Sequence, residues 1–104
     1  MVVRCGDDQL VAGAGHWVSM PRDVPHTFRV VGDREARILV VHDNASFRDF
    51  IRDLGVPAPT HAVPNAPAFP PIDEMARIAA SHDLRPIGPP MTAEDSDSIL
   101  VAAS

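Results

Sequence analysis

The sequence predicts a mostly β fold, a small antiparallel barrel or sandwich followed by two short C-terminal α-helices, and three observations carry that expectation. From residue 1 to residue 42, short β-type segments alternate with turn clusters rich in Gly, Asp and Pro. Helical spacing of apolar residues first occurs at Phe47, Phe50, Ile51 and Leu54. Nine of the 11 prolines follow Gly55, so the two halves of the chain obey different local rules. A chain of 104 residues is one small domain with a thin core, burying roughly 60–70% of the surface its unfolded state exposes.

Taken in order, residues 2–5 read as a first strand stopped by Gly6-Asp7-Asp8, and residues 9–12 as a second stopped by Gly13-Ala14-Gly15. Residues 16–20 form the third candidate, and the stiff turn from Pro21 to Pro25 leads into a fourth at residues 26–31. After Gly32-Asp33, residues 35–42 make a fifth, with the longest apolar run, Ile38-Leu39-Val40-Val41. Connections this tight suit antiparallel neighbours, because parallel strands need long crossovers. Ser46 and Asp49 are spaced as a capping box for the first helix, and Gly55 is its stop. The Pro-rich residues 56–69 are expected to run as extended chain docked over the surface. A second helix is expected from Ile72 through Met75, Ile78 and Ala79 to about Ser81, with Pro70-Pro71 before it and Asp73 and Glu74 near its N-terminus. Residues 84–87 suit a brief extended segment before Gly88-Pro89-Pro90, and the acidic stretch beyond reads as a frayed tail. The expected organisation is a β region with its closing helix at 1–55, a Pro-rich segment and helix packed on it at 56–90, and a flexible tail at 91–104.

Composition narrows the function classes. All nine basic residues are arginine, against 14 acidic residues, and they form no cluster suited to phosphate contacts, so nucleic-acid binding is not expected. With four Phe, one Trp and no Tyr, a base-stacking platform is not expected either. Apolar runs stay far below the ~18 residues a membrane span requires. No basic n-region with an apolar core follows Met1, which predicts a cytoplasmic product. The single cysteine, Cys5, forms no internal disulfide and reads as a buried, inert thiol.

The most informative stretch runs from Gly15 to Val30. Gly15 permits a tight entry, Pro21 and Pro25 bracket a turn, and His26 opens the next strand. Strand alternation puts His26, Phe28 and Val30 on one face, and its apolar pair marks that face as the inner one. Phe28 and Val30 are therefore candidate pocket residues, and His26 a candidate metal ligand or base. A buried histidine taken alone is more often hydrogen-bonded packing than chemistry. His16, His42, His61 and His82 show neither His-x-His nor His-Glu-x-x-His spacing, and His82 suits a dipole-stabilising place near a helix C-terminus. Ser19, Ser46 and Ser81 lack a nucleophile elbow, and Gly13-Ala14-Gly15 lacks the helix and Lys of a phosphate loop.

The run from Gly15 to His26 resembles the second sequence motif of the cupin family: a glycine, five residues, a proline, one residue, usually a glycine, two residues, then a metal-binding histidine. Gly15, Pro21 and His26 match in order and spacing, Asp23 stands at the usual glycine, and Val30 stands where an asparagine is often found. Residues 35–42 with 45–55 are similar to the last strand and Phe-rich helix of single-domain bacterial cupins like quercetin 2,3-dioxygenase. Residues 72–90 are similar to the C-terminal helix and Gly-Pro-Pro ending of that group, so the resemblance covers about residues 1–90. It implies a partial cupin-type β-barrel over residues 1–55, with Gly15 and Pro21 as structural motif residues. It also implies a divalent metal (Fe, Mn, Ni, Cu or Zn) at His26 and dioxygenase chemistry on a small organic molecule.

The first cupin motif, a His-x-His pair and a glutamate, would precede residue 2, so His26 is the one position of the four usual ligands that the chain matches. Catalytic sites fix at least three protein ligands, and the chain alone is therefore expected to be inactive, with its catalytic residues unassigned. Two alternatives stand beside this reading. One is a metal-free module that binds a small apolar molecule or serves assembly. The other is a truncated product of a longer cupin, whose exposed sheet edge favours a homodimer.

Overall fold

The computed structural model describes residues 1–65 and 70–104. Three strands, β1 (Val2–Cys5), β2 (Asp8–Val11) and β3 (His26–Arg29), precede three helices, α1 (Ser46–Leu54), α2 (Ile72–Ser81) and α3 (Ala93–Ala103). The strands form one antiparallel sheet in the order β2-β1-β3. The chain divides into two compact units, Met1–Leu39 with Ile87–Ser104, and Val40–Pro86.

In the first unit, Gly6-Asp7 makes the two-residue turn between β1 and β2, with Cys5 opposite Asp8. Gly6 has φ +58°, the glycine-first geometry that matches strand twist, and a Cβ there would meet Val24 Cγ1 at 3.2 Å. The register then sets the faces. Val2 and Arg4 share one side with Val11, Gln9, Arg29 and Thr27, while Val3 and Cys5 share the other with Leu10, Asp8, Phe28 and His26. Val2 and Val3 are both fully buried, so the central strand is covered on both faces. On the Val2 side lies α3, whose Ile99 packs with Val2 and Met91, bordered by Val31 and Leu100. Full burial of side chains such as Val2 and Ile99 contributes about 1.5–3 kcal/mol each. Two polar contacts hold the same assembly: the Arg29 guanidinium donates to the Met91 carbonyl at 3.4 Å, and Arg4 faces Asp95 at 4.0 Å.

This architecture corrects the expected fold. The protein is a mixed α and β structure with an open sheet, not a mostly β barrel or sandwich. Three strands of four residues cannot close on themselves, and the helices, nine to eleven residues long, outweigh them. Residues 16–20 and 35–42 have strand-like composition but join no strand ladder among the described residues, since β propensity is expressed only where a neighbouring strand accepts the ladder. The stretch expected as a frayed tail instead forms α3. Thr92 Oγ1 accepts from the Asp95 N–H at 3.1 Å, and Asp95 Oδ2 accepts from the Thr92 N–H at 3.2 Å, a reciprocal capping box.

In the second unit, α1 packs on α2. Ala45, not Ser46, is the N-cap of α1, and the expected Ser46–Asp49 box does not form; Asn44 Oδ1 takes the Ser46 N–H at 2.9 Å instead. Gly55 ends the helix with its N–H on the Ile51 carbonyl. Phe47, Phe50 and Leu54 are half-buried, while Ile51 is exposed. In α2, Ala79 is buried, Met75 and Ile78 are half-buried, and Ile72 is exposed. Residues 56–65 of the Pro-rich stretch form neither helix nor strand, and the rest of it, 66–69, lies outside the described residues. Among the described residues, no helix is long and apolar enough to cross a membrane.

Candidate functional site

Of the residues singled out by sequence, His26 and Phe28 lie on the edge strand β3 and Val30 follows it, while Gly15 and Pro21 precede it in chain that belongs to no strand. Gly15 has φ +80°, a left-handed conformation that favours glycine, before the unpaired segment that leads to Pro21. Asp23, at the motif's usual glycine, has φ +61°, so the backbone there takes the shape glycine would give it. Pro25 then joins the sheet, its carbonyl accepting the Gly6 N–H at 2.8 Å, and His26 opens β3.

That one hydrogen bond fixes the direction of every backbone group in β3. Antiparallel partners alternate between bonded and non-bonded pairs, so residues 25, 27 and 29 turn their N–H and C=O groups toward β1. His26 and Phe28 turn theirs away from the sheet. Because β3 is the last strand in the order, these groups form an open edge.

His26 is exposed, and its Nδ1 lies 3.0 Å from the Val24 carbonyl. A carbonyl only accepts, so Nδ1 is the donor in this contact. Cys5, a buried free thiol, stands opposite His26, with Asp8 opposite Cys5 on the far strand. This row has the residue types of a metal site but not the convergence: among the described residues, no three of His, Cys, Asp and Glu are grouped to hold an ion. The donor set does not fit the divalent metal that the motif implies, and no metal-dependent step follows from it.

Phe28 and Val30 keep 49% and 44% of their surface exposed, which corrects the expectation that they line an enclosed interior. The cover that buries Val3 on the same face of the central strand does not extend to β3, which is an edge strand. Surface hollows occur along α3, at Glu94, Asp97, Ser98 and Val101, and along residues 56–65, and neither contains His26, Phe28 or Val30.

The other histidines have local structural partners. The Gly13 N–H donates to His16 Nδ1 at 2.8 Å, and His42 stacks on Phe47 with ring centroids 4.6 Å apart. His82 caps α2, and its Nε2 meets Asp53 Oδ2 of α1 at 2.6 Å. Sequence reasoning placed His82 near its helix end but missed Asp53, whose position depends on how α1 packs. It also missed Asp95, although Thr92-x-x-Asp95 is a legible capping pattern. The backbone hydrogen bond from Thr92 holds the Asp95 carboxyl below its usual value, with further lowering from the Thr92 hydroxyl and Arg4 against a small opposing desolvation.

A small mixed α/β protein, with an open three-stranded sheet and an edge histidine lacking convergent co-ligands, is the class this geometry defines. Comparison with family models, curated proteins and solved structures returns no match for this chain.

Proposed function

We propose that this chain is a non-catalytic assembly module, which binds protein through exposed apolar β-type chain and carries a cupin-like His turn without a metal centre. One observation carries the reading: Ile38, Leu39, Val40 and Val41 are 45–85% exposed in a segment that belongs to no strand or helix. Exposed β-branched and apolar residues with unpaired backbone are a template for another chain. Phe28 and Val30 at the open β3 edge add to the same character.

The second reading is the metal-dependent dioxygenase of the cupin resemblance, with a small organic substrate. It is favoured by the positive φ of Gly15 and Asp23, which gives the turn before His26 the shape a glycine-bearing motif requires. The two readings separate in one experiment. The chain is unfolded thermally with chelator and then with Fe(II), Mn(II), Ni(II), Cu(II) or Zn(II), alongside His26→Ala, and each form is assayed with a flavonol. The assembly reading expects no stabilisation that depends on His26, and no turnover. A metal-induced rise in melting temperature that disappears in His26→Ala, accompanied by substrate consumption, would replace it with the enzyme reading.

A further inference from the structure

We infer that the assembly partner is a second copy of this chain, joined edge to edge through β3 so that the two sheets become one; this rests on the assembly reading and adds its partner and register. β3 lies wholly within the first unit, and no strand among the described residues pairs with its outer side. The backbone groups of His26 and Phe28 point out along that side. Val30 continues the series, because Val31 packs against the Val2 core on the side of the sheet that Arg29 takes, so the alternation runs on past β3. At the other edge of the sheet, β2 has α3 packed against it.

An apolar row stops at this edge. The register sets Leu10, Val3 and Phe28 side by side on one face; Val3 is fully buried, and Phe28, the last in the row, is 49% exposed. A second copy related by a two-fold axis at Phe28 continues the row with its own Phe28, Val3 and Leu10, and each exposed ring is covered by an identical ring.

Backbone and charge select the same axis. Open groups must face open groups, and with Phe28 opposite Phe28, His26 faces Val30 of the second copy, so all three open residues of each strand find partners. Arg29 then faces the neutral Thr27 of the second copy, while its guanidinium stays on the Met91 carbonyl of its own chain. An axis at Arg29 would oppose two guanidiniums. An axis at Thr27 would set Val24 against Val30, although the Val24 N–H is bonded to the Pro21 carbonyl and the Val24 carbonyl to His26 Nδ1. From His26 to Val30 the one formal charge is that of Arg29, already engaged, so the edge selects its partner by apolar contact and hydrogen bonding, and its own copy matches both about Phe28.

The contact is small. A stable interface buries about 800 Å² per partner, and an edge of this length buries less, so the dimer dissociates on dilution with a Kd on the order of 100 µM.

Sedimentation velocity across concentrations bracketing that value tests the inference on the full chain, with circular dichroism confirming that each variant stays folded. The wild-type chain is expected to dimerise, and Phe28→Lys, which places two like charges at the axis, to abolish the dimer. Two double variants read the register. His26→Lys/Val30→Glu sets opposite charges against each other twice across the interface and is expected to dimerise at least as tightly as wild type. His26→Lys/Val30→Lys sets like charges against each other twice and is expected to weaken the dimer at least about tenfold. Within one strand these two positions lie about 13 Å apart, so the contrast arises between copies. A wild-type chain that is monomeric throughout the range overturns the inference, as does a dimer that survives Phe28→Lys or one that the two double variants weaken alike. Each of these results leaves the metal and turnover experiment to decide the assembly reading separately.

Discussion

The two units use their apolar residues differently. In the first, β1 is enclosed on both faces, and Val2, Val3, Cys5, Ala12, Met91, Ser96 and Ile99 are buried. In the second, Ala79 is the one buried residue among those described, although the unit is well supplied with apolar side chains. The difference follows from geometry. A central strand offers two faces to cover, so one short segment collects contacts from both sides. Two helices of nine and ten residues meet along one seam, and their outward positions, including Ile51 and Ile72, stay exposed. Local stability should therefore differ, and native-state hydrogen exchange should protect the amides of β1 and α3 longer than those of α1 and α2.

The largest effect that sharpens this contrast is expected from Ile99→Ala. Ile99 is 3% exposed and contacts Val2 and Met91, so truncation removes transfer free energy and leaves a cavity, costing about 2–5 kcal/mol. Phe50→Ala, on the half-buried seam of the helical unit, should cost less despite the larger side chain removed. Denaturant unfolding of both variants checks the order. Equal losses would mean that the helical unit is as well packed as the sheet unit, and would break the comparison.

Local rules read from sequence succeeded where neighbours in the chain decide the outcome. The strand at Val2–Cys5 and the helix at Ile72–Ser81 match the expected bounds, because each is set by nearby turn residues or by apolar spacing. The barrel failed because closure depends on partners far apart in sequence. Residues 35–42 have the composition of a strand, yet no strand among the described residues pairs with them, and nothing in Ile38–Val41 alone reveals this. The site was legible in the same partial way. The left-handed turn at Gly15 is legible in the glycine itself, whereas the exposure of His26, Phe28 and Val30 follows from the place of β3 at the edge of the sheet, which is set by pairing remote in sequence. The acidic C-terminal stretch misled because charge was weighed above the Thr92-x-x-Asp95 pattern, and buried Ile99 shows that the stretch has an apolar side.

A smaller effect concerns how α3 is kept in place. Thr92→Ala removes the oxygen that accepts the Asp95 N–H, at a cost of about 0.5–2 kcal/mol. The Asp95 carboxyl accepts the Thr92 N–H in return, and its pKa is lowered mainly by that hydrogen bond. A carboxylate whose folded pKa lies below its unfolded value stabilises the fold fully above the ordinary Asp range, and this contribution is lost as pH falls through the lowered value. Acid titration followed by circular dichroism should show α3 loosening in that window. In Asp95→Asn this part of the acid dependence should be absent; an unchanged acid profile would mean that the box contributes nothing to holding α3.

The smallest effect expected is at the contact between His82, the C-cap of α2, and Asp53 of α1. Its geometry is close, at 2.6 Å, but the Asp53 side chain is 60% exposed, so water competes for the carboxylate and salt screens the pair. His82 also caps α2 through its backbone N–H, which bonds to the Ala79 and Ala80 carbonyls and survives any change of side chain. His82→Gln therefore retains the cap and changes only the side-chain contact with Asp53, for an expected cost of about 0–1 kcal/mol. Denaturant unfolding of the variant beside the wild-type protein checks it. A loss of several kcal/mol would instead assign the cohesion of the helical unit to one polar contact, so that its scarcity of buried side chains would no longer measure how strongly its helices are held.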